Sequence, residues 1–334
     1  MKNAKKYIKL YNEKSQESFN KWGYYYPPRN WEEFRAWDIK AYQKYLEDEH
    51  KAREQARPDW PYIKPKRYLS ILDTIVDFGY LHAFEKMDYK ILNDVIFQVS
   101  RHQLLHHSML ASGTDHSNLL LNVLSAFASN DFKIVESFFP KDLPQSKGIY
   151  CTEVAVNLLK VMYYNQKEFA VSAIEKAHKF LTKKITSFEE HFVRSFMAIY
   201  QRDVDAINFS LQELCKAYQR LGYPVKKMDK CFAVEIHGLY RFIKEIDENF
   251  FNEITLPKHD CFFQGFEVWQ KENNYPEGKI FYEYPGEMVY MNKIFRVEIP
   301  KVTLEEYVKG KRKELFKDVD EFASRLTKNI ELLE

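Results

Sequence analysis

Apolar and polar positions along most of this chain recur with the period of a helix rather than a strand. Residues 1–22 read as a charged amphipathic helix, and Gly23-Tyr24-Tyr25-Tyr26-Pro27-Pro28 reads as the loop that follows it. From Trp31 to Arg57 one apolar stripe is marked by Trp31, Phe34, Trp37, Tyr42, Tyr45 and Leu46. The half of that helix from Glu47 onward is nearly all polar, so it is expected to project into solvent until Pro58, Pro61 and Pro65 end it. Helices are predicted over 68–86 and 89–110, and Ser112-Gly113-Thr114-Asp115 reads as a stop followed by an N-cap.

The next stretch repeats. Short polar turns fall at Asn130-Asp131, Gln166-Lys167 and Arg202-Asp203, 36 residues apart. Phe127, Tyr163 and Ile199 occupy equivalent positions before the turns, and Leu120, Val156 and Phe192 one helix earlier. After the turns, Ile134, Ala170 and Ala206 align, as do Val135, Val171 and Ile207. A period of this size carrying two helices is that of a tetratricopeptide-like hairpin, although that family's Trp, Gly and Pro positions are missing. The register predicts antiparallel helix pairs with Phe127, Tyr163 and Ile199 all buried. Ser187 and Glu190 read as a capping box at the start of one helix.

A further helix is read over 229–249, and beyond Leu256-Pro257 the texture changes. Lys279–Tyr284, Pro285-Gly286-Glu287 and Met288–Met291 read as a β-hairpin, with a third strand over 293–299. A last helix is predicted from about Thr303, its face formed by Leu315, Val319, Phe322, Leu326, Ile330 and Leu333. The fold class is therefore mainly α: stacked antiparallel helical hairpins, a small C-terminal β-hairpin and a long final helix. One continuous unit is expected, with N-terminal helices over 1–110, the repeat region over 115–255 and the C-terminal part over 256–334.

Composition narrows the functional classes. Hydrophobic residues make up 45% of the 334 positions, enough for a sizeable core. With 50 Lys and Arg against 48 Asp and Glu, the chain has no global basic excess, so nucleic acid is not the expected partner. The four cysteines form no CxxC pair and are read as reduced core residues. The N-terminus has no apolar run of the signal-peptide kind, and no segment has the ~20 apolar residues needed to span a bilayer. A cytoplasmic protein that neither enters nor crosses a membrane is expected.

Few residues suggest chemistry. Arg101-His102-Gln103-Leu104-Leu105-His106 resembles the signature of HEPN ribonucleases, in which a helical Arg steadies phosphate charge and a His moves a proton. Arg101 and His106 would hold those roles. His102 and His106 lie four apart, with His107, Asp115 and His116 following, but no Glu follows the first His as in zinc proteases. No metal and no other cofactor is expected. Glu189-Glu190-His191 reads as a helix start, and Tyr24-Tyr25-Tyr26 as a packed loop with too few basic neighbours to track a nucleic acid.

Three stretches carry a family resemblance: Asn118–Phe139, Phe196–Leu214, and Phe232–Tyr240 running on to Leu256-Pro257. Together they resemble the immunity protein 49 family of bacterial polymorphic toxin systems, over roughly residues 115–260. The resemblance implies an all-helical antidote that binds a cognate protein toxin and occludes it, with no enzymatic activity of its own. A tetratricopeptide-like scaffold and the HEPN-like ribonuclease are the alternatives. For a protein partner, two exposed candidate surfaces are expected: the charged helix at Glu47, Asp48 and Glu49, and the hairpin bearing Tyr282, Tyr284 and Tyr290.

Overall fold

In the computed structural model the described residues are 2–55, 60–73, 75–110, 114–222, 225–309 and 312–333. The chain opens with a group of helices: α1 (Lys2–Trp22), α2 (Trp31–Glu54), α3 (Trp60–Ile71), α4 (Ile75–Lys86) and α5 (Tyr89–Ser108). The repeat region contains α6 (Leu120–Phe127), α7 (Ile134–Phe138), α8 (Cys151–Tyr163), α9 (Lys167–Leu181), α10 (Ser187–Gln201), α11 (Val204–Tyr218) and α12 (Val234–Ile246). Then follow α13 (Glu248–Phe251), α14 (Gln264–Glu272), α15 (Val289–Arg296), the strands β1 (Leu304–Lys309) and β2 (Arg312–Lys317), and α16 (Val319–Glu331). Mainly-α architecture with a small antiparallel hairpin and a final helix is thus as the sequence indicates.

The three polar turns fall where the 36-residue register puts them, and the backbone shows why. Asn130, Asn165 and Arg202 each take the left-handed conformation, with φ of 61°, 51° and 55°. The next N–H in each case donates to the carbonyl five residues back, Asp131 to Ala126, Gln166 to Val161 and Asp203 to Ala198, at 3.0–3.2 Å. Those are Schellman closures, which satisfy carbonyls that the helix end leaves open. Met87 (φ 53°) and Asp88, between α4 and α5, repeat the device. Asp88 and Asp203 then cap the following helices through their carboxylates. One polar pair therefore closes one helix and opens the next, which makes the hairpins tight: α8 with α9, α10 with α11, and α8 against α10.

The periodic core positions are filled unevenly. Leu120, Val156, Phe192, Phe127 and Ile199 are buried as expected. Tyr163 is only half-buried, its hydroxyl reaching the Phe132 carbonyl at 3.4 Å. Val171 is 69% exposed, whereas Val135 and Ile207 are buried, because α7 is a five-residue stub and α9 lies on the outside of the stack. The capping box of α10 is formed by Thr186 and Glu189, one residue earlier than read from the sequence. Helix α3 begins before the expected boundary and carries Pro65 within it, while the stretch read as one helix over 68–86 is two, α3 and α4. Pro58 lies outside the described residues.

Residues 279–291 are not a hairpin. The segment 276–284 has no regular secondary structure, and several of its polar backbone groups pair with side chains of α5 instead of a strand. Asn93 Nδ2 donates to the Pro276 carbonyl at 3.0 Å, and the Lys279 N–H donates to Asp94 Oδ1 at 3.0 Å. Gln98 serves both groups of Tyr282, its Oε1 accepting from the N–H at 2.8 Å and its Nε2 donating to the carbonyl at 2.9 Å. Met288 onward turns into α15. The β-hairpin lies instead at 304–317, inside the stretch read as helix, with Leu304 paired to Lys317 and Lys309 to Arg312. Leu315 falls at helical spacing from Val319 and Phe322, which carried the helix reading into this stretch, yet Gly310 between two six-residue runs is a hairpin signal. The final helix is correspondingly shorter. Phe322, Leu326 and Ile330 are buried and α16 packs on α3, whereas Leu315 sits exposed on β2 and Leu333 is exposed past the helix end.

A single connected core runs from Ala4 in α1 to Ile330 in α16. Within it, α12 packs closely on α6. Gly238 meets the backbone of Leu124 so closely that a Cβ there would lie 1.6 Å from the carbonyl oxygen.

Candidate functional site

The residues singled out from sequence are dispersed. Arg101 is tied to Asp131, Nε to Oδ2 at 2.8 Å, and lies over the Phe97 ring. His106 meets the Ser70 hydroxyl at 2.9 Å, and burial pushes its pKa down to about 4. Five residues apart on α5, the two point roughly 140° away from each other, and each serves a different neighbour. Among the described residues, no three His, Cys, Asp or Glu side chains converge as metal ligands would.

Of the two expected partner surfaces, the acidic one is partly used up. Glu47 is exposed, but Asp48 pairs with Arg67 of α3 at 3.2 Å and Glu49 with Arg53 at 2.8 Å. That half of α2 does not project freely, since Tyr45 and Ala52 are buried. The tyrosine surface is corrected outright. Tyr282 and Tyr284 are buried, the first among Trp31, Phe34 and Tyr284, the second with its hydroxyl donating to the Leu72 carbonyl at 3.2 Å. Tyr290 is half-buried against Tyr68 under Lys64. Hydrogen bonds from Gln98 of α5 to Tyr282 hold this segment against the core, with Tyr282 and Tyr284 turned inward.

Exposed aromatic residues cluster elsewhere, at the elbow between α1 and α2, while Tyr150, Phe209 and Tyr307 are exposed singly on other elements. Phe19 stacks on Tyr25 with centroids 4.4 Å apart, and Trp22 on Tyr24 at 6.1 Å. Trp37 meets Tyr24 and Tyr26 edge-on and donates its indole N–H to the Tyr25 carbonyl at 2.9 Å. Phe19, Trp22 and Tyr24 are 40–55% exposed. Lys40 reaches over Tyr24 and Trp37, Lys21 over Trp22, and Arg29 over Tyr25. The result is a rigid ring platform with a basic rim.

A half-enclosed cavity of about 720 Å³ opens where α1, α4 and α5 meet α6, α10, α11 and α12. Tyr7, Tyr80, Phe84, Tyr218 and Phe232 supply rings to its walls. On the α5–α6 side, His107, Asn122 and Gln103 form a chain of side-chain hydrogen bonds, each 3.1 Å. Three carboxylates face the cavity. Asp77 is met by Lys14 at 3.2 Å and Lys226 at 3.7 Å, and Asp229 accepts the Lys226 N–H at 3.0 Å. Glu235, in the first turn of α12, has its Oε2 shut off from solvent with no hydrogen-bond partner. Burial pushes its carboxyl up to about 7 against the pull of the Tyr218 hydroxyl. The signal for Glu235 was present in Phe232–Phe242, where three ionisable residues interrupt an otherwise apolar helix.

That shift has a measurable consequence. Below pH ~4.5 Glu235 is protonated in both folded and unfolded chains. Between ~4.5 and ~7 only the unfolded chain releases the proton, so stability falls as pH rises, by at most about 3 kcal/mol. Facing groups from the other elements are Tyr7, Asp77, Tyr80, Tyr218, Lys226 and Asp229. All are shared with a Glu235→Gln variant, so they cancel in the comparison. Glu235→Gln is expected to be more stable than the parent in urea unfolding at pH 8 and nearly equal at pH 4.5. A variant equally or less stable at pH 8 would contradict the burial argument.

A second buried ionic group joins α12 to α14. His237 receives the Phe263 N–H at Nε2 (3.0 Å), so its proton sits on Nδ1 and is donated to Glu267 at 2.6 Å. Arg241 pairs with the other oxygen of Glu267 at 3.3 Å and lies 4.3 Å over the Tyr275 ring. All three side chains are sealed in the core, which makes this a structural rather than a reactive cluster. Among the described residues no helix is long and apolar enough to cross a membrane. Comparison with protein-family models, with curated proteins and with solved structures finds no match to this chain.

Proposed function

We propose that this chain is a protein-binding module, and that its partner is a protein toxin which it neutralises by occlusion. The observation that carries the reading is the aromatic platform at the α1–α2 elbow. Exposed Phe19, Trp22 and Tyr24, held by stacking and by the Trp37 hydrogen bond, lose little entropy when covered. Aromatic anchors of this kind dominate the energetics of interfaces, and Lys21 and Lys40 at the rim suit an acidic partner face, Arg29 being already paired with Glu33. The resemblance of residues 115–260 to immunity protein 49 supplies the toxin-neutralising form of the proposal. The acidic stretch Glu47–Glu49 takes second place to the platform, because two of its three charges already have partners.

The test is co-expression, in a sensitive host, with a secreted protein encoded beside this gene. Survival should require this chain. Trp22→Ala with Tyr24→Ala should weaken binding by roughly thirtyfold or more while leaving the helical signal unchanged. Host death despite an intact chain, or host survival without it, would defeat the toxin reading. A second reading, a peptide-binding helical scaffold, is favoured by the successive α8–α9 and α10–α11 hairpins. It expects partner binding that survives loss of Trp22 and Tyr24.

A further inference from the structure

We infer that the cavity between α1, α4 and α12 is a binding site for a small organic cation: a primary amine on an apolar, ring-sized body. The volume of about 720 Å³ lies in the range of small-ligand sites, ~300–1,000 Å³. Its chemistry selects the class. Glu235 is the lining carboxylate without a cationic partner: Asp77 already has Lys14 and Lys226, Asp229 holds the Lys226 N–H, and only the neutral Tyr218 hydroxyl acts on Glu235. An ionised carboxylate in such a half-enclosed, largely apolar place is unfavourable without a cation, and an ammonium group supplies both a donor and the opposite charge. Tyr7, Tyr80 and Phe232 in the same lining suit a cation and an apolar body alike. An anionic ligand would meet three carboxylates, and a neutral hydrocarbon would leave the Glu235 charge uncompensated. The site is separate from the α1–α2 platform, so its failure or success leaves the protein-partner reading untouched.

The experiment is isothermal titration of the full chain with 2-phenylethylamine, and with 2-phenylethanol as the uncharged control. The amine is expected to bind at least about tenfold more tightly than the alcohol, and Glu235→Gln to lose at least about tenfold of the amine affinity without weakening the alcohol. Because Glu235→Gln keeps shape and hydrogen-bonding capacity, its fold is checked by an unchanged circular dichroism spectrum. Phe232→Leu, which trims a ring face, is the second variant and should weaken the amine while leaving the carboxylate in place. No heat of binding for the amine up to about 5 mM, or equal affinity of amine and alcohol, or unchanged amine affinity in Glu235→Gln, would overturn the assignment.

Discussion

Glu267→Ala is expected to destabilise the protein by about 3–5 kcal/mol, the range for removing one member of a fully buried charge pair. Among the described residues, Glu267 is the only carboxylate that pairs with Arg241, and it also accepts the Nδ1 proton of His237. Arginine does not neutralise itself by losing a proton, so the guanidinium would stay charged in a site with no exposure. The Tyr275 ring 4.3 Å away offsets only part of that charge. His237 would lose its acceptor at the same time, although as a neutral imidazole it contributes the smaller share. Guanidinium denaturation of the variant gives the number. Arg241→Met combined with Glu267→Met should recover much of the loss, because replacing a whole buried pair by apolar groups is often near neutral. A single-variant loss below about 1 kcal/mol would mean that water reaches the group.

Gly238→Ala should be nearly as damaging, by more than about 3 kcal/mol, although it adds one methyl group. The new Cβ would lie 1.6 Å from the Leu124 carbonyl oxygen and 3.1 Å from its Cα. Both atoms belong to the backbone of α6, so no side-chain rotation relieves the clash, and the two helices must separate. Separation loosens the stack of Phe127 on Phe242, whose rings lie 5.6 Å apart across the same interface. Overpacking ordinarily costs about 1–3 kcal/mol, and a rigid backbone neighbour moves the expectation to the top of that range or past it. Gly222→Ala is the control, since nothing lies within 4 Å of its added Cβ and it should change stability by less than about 0.5 kcal/mol. Thermal unfolding of the two variants side by side decides the matter. Similar melting temperatures would show that α6 and α12 are not held at this distance.

What could be read beforehand follows from how local each signal is. The turns at Asp131, Lys167 and Asp203 were legible because a Schellman closure is written in adjacent residues, and at Asp203 the helix cap is too. Position within a repeat was less so. Val171 occupies the same place in the pattern as Val135 and Ile207, but which helix faces outward is decided by the stacking of neighbours and not by its own sequence. Residues 279–284 form no strand despite their alternation, because their partner is a set of α5 side chains almost two hundred positions earlier, which no local pattern encodes. Burial of Tyr282 and Tyr284 follows from that partner. Leu315 fell in step with the apolar face of the last helix by spacing alone, and that extended the helix reading back over what is β2. Glu235 stood out in an apolar helix, but the cavity giving it significance draws walls from seven helices and exists only in three dimensions.

The clamp of α5 on residues 276–284 also bears on the order in which the molecule is completed. Asn93 and Gln98 are buried in the finished protein and spend their amides on Pro276, Gln270 and Tyr282. A ribosome that has released α5 still holds those residues back for some 180 more, so two polar side chains buried in the finished core wait without their mates. A chain cut between α13 and α14 would carry the hairpins yet leave Asn93 and Gln98 without these partners. Contacts between segments so far apart in sequence are expected to form late, since the entropy of bringing them together opposes them.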